Sequence, residues 1–90
     1  MKTLEKLLPE QTYMVTDNEA NRFNFFGLIQ VTPELVQEAG NVVVWDLTED
    51  LPEDVQRALE VMAENSVSLD DYTGIVTIYT AEETYYLLTW

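Results

Sequence analysis

VVVWDLTEDLPEDVQRALEVMAE, residues 42–64, reads as a strand, a turn and a helix in succession, and this order sets the fold class. Val42, Val43, Val44 and Trp45 are β-branched or aromatic without polar alternation, the pattern of a central strand covered on both faces. Beyond Pro52 the period changes. On a helical wheel Leu51, Val55, Ala58, Leu59 and Met62 fall on one side, and Glu53, Gln56, Arg57, Glu60 and Glu64 fall opposite. That spacing predicts a helix over 53–64 with its apolar side on a sheet and its acidic side in water. Arg57 follows Glu53 by four residues and precedes Glu60 by three, so both carboxylates are expected to neutralise it.

Downstream, residues 65–73 read as a loop carrying Asp70 and Asp71. Ile75–Thr80 and Thr84–Trp90 read as a hairpin around Ala81-Glu82-Glu83. Alternation in its second strand puts Tyr86, Leu88 and Trp90 on one face and Tyr85, Leu87 and Thr89 on the other. Upstream, Tyr13-Met14-Val15 and Phe23–Gln30 read as a second hairpin. Asp17-Asn18-Glu19-Ala20-Asn21 has turn chemistry, and Gly27 marks a bulge. A short helix is expected over Thr3–Leu8, ended by Pro9. Another starts at Thr32-Pro33-Glu34, with a hydroxyl cap and proline at the first position, and ends before Gly40. Pro33–Ala39 and Pro52–Ala58 share Pro, Glu, Val, Gln and Ala in register, as two helices started by the same local chemistry. The expectation is therefore one α+β domain over 1–90, a mainly antiparallel sheet of about five strands with two or three short helices packed on it. The element order is roughly α-β-β-α-β-α-β-β.

Composition narrows the function classes. The chain has 90 residues, 47% of them apolar, so it holds one modest core and little room for a deep internal site. It contains no cysteine and no histidine. That removes thiol nucleophiles, disulfides, the usual neutral-pH base and the commonest metal ligands. Glu5 and Lys6 interrupt the apolar start, so neither a signal peptide nor a membrane span is expected there, and the location is read as the cytoplasm of a bacterial host cell. No cofactor and no metal is expected. Asp17–Asn21 has a superficial likeness to a calcium loop but lacks the mid-loop glycine and the closing glutamate. Paired carboxylates alone, with no other catalytic group beside them, do not make an enzyme.

Charge is the dominant feature. The net charge is −13, with 17 acids against four bases. Residues 1–45 hold six acids and three bases, or −3; residues 46–90 hold eleven acids and Arg57 alone, or −10. Nucleic acids and anionic membranes attract Lys and Arg, so neither is an expected ligand. A basic partner is. The expected partner-binding residues are Asp46, Glu49, Asp50, Glu53, Asp54, Glu60, Glu64, Asp70, Asp71, Glu82 and Glu83, with Tyr72 and Tyr85 as aromatic contacts. Helical carboxylates three or four positions apart stand about 5–6 Å from each other, close to the spacing of successive phosphates. Tyrosine and tryptophan are enriched at interface centres. The alternative reading is a solvated face with acids placed for the helix dipole.

The stretch Val43-Val44-Trp45-Asp46 followed by Leu51-Pro52-Glu53-Asp54-Val55 resembles the phage uracil-DNA glycosylase inhibitors, small acidic α+β proteins that imitate DNA. Ile75–Thr80 and Tyr86–Thr89 are similar to later strands of that family. The resemblance implies that Asp46 takes a phosphate's place and that Val55 and Leu59 border an apolar groove for a leucine of the enzyme. Leu47-Thr48 departs from the family's small-then-apolar pair, and residues 1–40 have no counterpart. The function expected is an acidic, non-catalytic, phage-type inhibitor that mimics nucleic acid. It would block the basic site of a glycosylase, a restriction or CRISPR nuclease, or a similar nucleic-acid-binding protein. The alternatives are an immunity protein or antitoxin against a basic toxin, and a non-catalytic assembly protein. A homodimer through the terminal hairpin is a further open alternative.

Overall fold

Two β-rich runs at each end of the chain make two hairpins, and a single sheet joins them. In the computed structural model residues 11–18, 22–31, 41–80 and 82–89 are described. Among them the strands are β1 (Gln11–Asn18), β2 (Phe23–Gln30), β3 (Asn41–Asp46), β4 (Gly74–Tyr79) and β5 (Glu83–Thr89). One α-helix, α1 (Glu53–Glu64), and a 3-10 turn (Leu69–Asp71) lie between β3 and β4. Every neighbouring pair is antiparallel, in the spatial order β2-β1-β5-β4-β3. The helices expected over 3–8 and 32–39 fall outside the described residues, as does Trp90.

This order corrects one expectation. The valine run of β3 is an edge strand, with Val44 exposed, rather than a central one. Its composition reports β propensity, which an edge strand shares. The covered positions belong to β4 and β5: Gly74–Ile78 and Tyr86–Thr89 are buried without alternation. The terminal hairpin lies inside the sheet: β5 is bonded on both sides by β1 and β4, and β4 by β3 and β5.

The two sheet faces carry separate cores. On one face Val15, Ile75, Tyr86 and Leu88 meet Val55, Ala58, Val61 and Met62 of α1, with Val67 closing the end. On the other, Met14, Val76, Ile78 and Leu87 form a second cluster. Each such side chain, once fully enclosed, stabilises the fold by about 1.5–3 kcal/mol. Below the last β1–β5 pairing the Thr12 hydroxyl extends the contact, donating to the Leu88 carbonyl.

Strand β2 serves both cores by changing faces. Its register on β1 slips between Met14 and Val15, leaving Phe26 as the extra residue beside Gly27, whose φ is +82°. Before the bulge Phe23 and Phe25 pack on the helix-side core; after it Ile29 packs on the other. One inserted residue inverts the alternation, as a period of two requires. Phe26 and Leu28, more than half exposed at 57% and 55%, are left on the outside by the same inversion.

Helix α1 begins at Pro52, whose extended backbone (φ −58°, ψ 158°) has no side-chain cap. Gln56 ties the first turn to the incoming chain, donating its backbone N–H to the Pro52 carbonyl (3.0 Å) and its side-chain amide to the Leu51 carbonyl (2.7 Å). The other end is closed by a Schellman pair: Ser66 N–H to the Ala63 carbonyl (3.0 Å) and Val67 N–H to the Met62 carbonyl (3.1 Å). Ser66 holds the left-handed position, φ 67°, that glycine usually fills. Val67 then returns to the core beside Met62. The helix crosses over β1 and β2, which fixes the direction in which its outer face looks.

Candidate acidic interface

The carboxylates are placed by three structural devices. The first is the turn that leaves β3. Asp46, the last residue of that strand, pairs with Gly74, and its backbone carbonyl accepts the Glu49 N–H at 3.0 Å. Its carboxylate Oδ1 accepts both the backbone N–H (2.9 Å) and the hydroxyl (2.7 Å) of Thr48. These bonds hold the Asp46 carboxyl below the ordinary aspartate value, so it stays charged. Asp46 is exposed, but one of its oxygens is committed to its own turn. Glu49 and Asp50 follow, both exposed.

The second device is α1. Glu53, Glu60 and Glu64 are exposed on its outer face. Arg57 reaches Glu60 (3.0 Å) and Glu64 (3.9 Å) instead of the expected Glu53, because its side chain extends toward the C-terminal turn. Among the described residues Glu53 has no cation within ion-pair distance. Arg22 and Arg57 are the only basic residues among those described.

The third device is the pair of loop tips. Asp70 and Asp71 are exposed on the 3-10 turn. They lie at the same end of the sheet as Asp46, since Leu47 N–H donates to the Thr73 carbonyl at 3.0 Å. Glu82 is exposed and Glu83 half-buried at the opposite end, where the Thr80 hydroxyl accepts the Glu83 N–H (3.0 Å) and donates to the Glu83 carbonyl (2.6 Å). The acids thus occupy both ends of the sheet, with the outer face of α1 between them.

Three expected contact residues are turned inward. Asp54 is half-buried, and its Oδ2 accepts the hydroxyl of Tyr86 at 2.9 Å. Tyr72 stands edge-on to Tyr13, ring centroids 6.4 Å apart, at the margin of the helix-side core. Burial, then Tyr13 and Asp71, raise its phenol above the ordinary range. Tyr85 is half-buried against the second core. Both tyrosines are half-buried, because both lie where the two cores reach their edges. The large aromatic that does stand out among the described residues is Phe26. Of the pair that the family resemblance sets beside a groove, Val55 is fully buried and Leu59 half-buried.

The Asp54–Tyr86 bond is a structural feature the residue pattern did not single out. A signal was present: Asp54 precedes Ala58 and Val61 by four and seven positions, so it shares their buried column. Tyr86 is almost wholly enclosed, and burial followed by the neighbouring Asp54 pushes its phenol far above the ordinary range. Its ring tilts against Phe23 with centroids 5.9 Å apart.

The chain matches no family model, no curated protein and no solved structure. Among the described residues no helix is long and apolar enough to cross a membrane, and no group of three metal-binding side chains is placed to hold an ion.

Proposed function

We propose that this protein is a non-catalytic acidic inhibitor that occupies the basic nucleic-acid site of a bacterial DNA- or RNA-binding protein from the cytoplasm. The carrying observation is the acidic path Asp46–Glu49–Asp50–Glu53, which has no ion pair among the described residues. It leaves a strand end, crosses a turn and enters a helix without one basic residue. Arg57, the nearest cation in sequence, is engaged further along the helix by Glu60 and Glu64. Ordinary surfaces interleave both signs, and a polyanion stand-in has no use for the second. Asp70 and Asp71 add charge at the Asp46 end, and Glu82 and Glu83 at the other. Asp54 contributes to the fold instead, through Tyr86.

The test is affinity capture from bacterial lysate, repeated with the triple substitution Glu49→Lys, Asp50→Lys and Glu53→Lys. The expected result is retention of nucleic-acid-binding proteins by the parent chain at low salt and their loss with the triple variant. Equal retention by both would remove the acidic path from the account. For the architecture we propose short helices over Thr3–Leu8 and Pro33–Ala39 in addition to α1. The supporting observation is that Val76, Ile78 and Leu87 are fully buried on the sheet face away from α1, where Val31 already packs.

A further inference from the structure

Strand β2 carries the two most exposed large apolar side chains among the described residues, Phe26 and Leu28. They stand two positions apart, Phe26 as the extra residue of the bulge. Leu28 lies opposite Tyr13 of β1, and directly opposed residues share a face of the sheet. Tyr13 packs on the helix-side core, so Leu28 looks out from the side that α1 covers. From Leu28 the surface continues over the half-buried Tyr13 to Tyr72, edge-on to it with ring centroids 6.4 Å apart. Asp71 and Asp70 come next, both exposed, and the charge of Asp71 reaches the Tyr72 phenol. An apolar strip thus runs into a pair of carboxylates, on the same side of the sheet as the acidic outer face of α1. Single exposed apolar residues need no explanation, whereas an apolar centre with a charged rim is the anatomy of a protein interface.

We propose that Phe26 and Leu28 are the apolar anchor of the acidic interface, and that they meet a partner segment carrying an apolar side chain beside lysine or arginine. This anchor presupposes the proposed function and names the contact chemistry of the same surface. Charge decides the occupant. A second copy of this chain would bring another net charge of −13 to a rim that is already acidic. Nucleic acid is repelled by the same rim, since its affinity rests on lysine and arginine. A basic protein segment finds carboxylates at the rim and apolar surface at the centre. The carboxylates attract it at long range, and the apolar contact holds it once water is excluded. Acids alone would accept any basic surface; the anchor selects one that also offers an apolar side chain.

Two synthetic peptides of equal length and charge, titrated against the full chain, decide it. One is built of lysine and serine; the other has leucine in place of part of the serine. The expected result is roughly tenfold tighter binding of the leucine peptide. NMR shifts are expected at the Leu28 methyls and at the Phe26, Tyr13 and Tyr72 rings, which the serine peptide does not produce. Phe26→Ser combined with Leu28→Ser is expected to bring the leucine peptide down to the affinity of the serine peptide, which itself stays unchanged. Equal affinities on the parent chain, shifts confined to the carboxylates, or a leucine preference that survives in the double variant would each overturn the anchor. The parent-chain shifts decide even where the double variant does not fold. The acidic path is judged separately, by Glu49→Lys, Asp50→Lys and Glu53→Lys together, which are expected to weaken both peptides. Serine-peptide binding that ignores the triple variant counts against the path alone, and the leucine preference is read independently of it.

Discussion

At the scale of single residues, the fold depends on where each polar atom finds its partner. Tyr86 fills the helix-side core and places its hydroxyl on Asp54, a hydrogen bond to a charged acceptor. Such bonds contribute about 1.5–3 kcal/mol. Tyr86→Phe is therefore expected to lower unfolding free energy by about 1–2 kcal/mol in urea titration, with the midpoint shifted and the slope unchanged. Thr77 is the opposite case. It is fully buried and its hydroxyl has no partner among the described residues. Thr77→Val keeps the branched shape and removes the stranded group, so stability is expected to rise by about 1 kcal/mol. A loss in the same titration would show that the hydroxyl has a partner in solution. Gly27 can be tested by backbone conformation alone. A Cβ there would meet nothing nearer than Phe25 at 3.8 Å, so the cost of Gly27→Ala comes from its positive φ, about 1–2 kcal/mol. That glycine was legible in the sequence as a bulge. Thr77 was not, because a threonine in a strand looks the same whether its hydroxyl is bonded or stranded.

At the scale of elements, local chemistry carried much of the reading and neighbour relations carried little. The helix wheel located α1, and its faces follow from the spacing of Val55, Ala58 and Met62. Its C-terminal closure was hidden because serine, not glycine, occupies the left-handed position. Ser66→Gly is expected to stabilise the chain by about 0.5–1 kcal/mol by removing that strain while keeping both Schellman bonds. A destabilised variant, read from its thermal melt, would mean that the serine side chain supports the turn. Strand order was not legible, since Val42–Trp45 and Ile75–Ile78 are equally β-forming and only pairing makes one an edge. The acidic positions were legible as a list. Their partition into path, tips and buried Asp54 needed the direction of α1 over β1 and β2. The half-burial of Tyr72 and Tyr85 was not legible for a related reason: a half-buried ring at the core margin and a fully exposed one have the same residue type and the same strand spacing.

At the scale of the whole molecule, a −13 chain with principal-axis extents of 30 × 30 × 24 Å holds its charges close enough to repel. Moderate salt is expected to raise Tm between low ionic strength and about 0.15 M, where screening reaches about 8 Å. A Tm that falls over that range would contradict the acidic path along α1. Arg57 does little to relieve it: its ion pair with Glu60 is more than half exposed on both sides, and such pairs contribute about 0–1 kcal/mol. The bulge at Gly27 also acts at this scale, since an irregular β2 edge discourages strand-to-strand association of copies. On the proposed reading the charge is left to choose the partner, a protein whose surface is built for phosphates. The most direct measurement is displacement. A captured basic protein is challenged on the immobilised chain with duplex DNA or single-stranded RNA at fixed ionic strength. The account predicts release by the nucleic acid at concentrations matching its own affinity for that protein. Retention of the partner at saturating nucleic acid would contradict it.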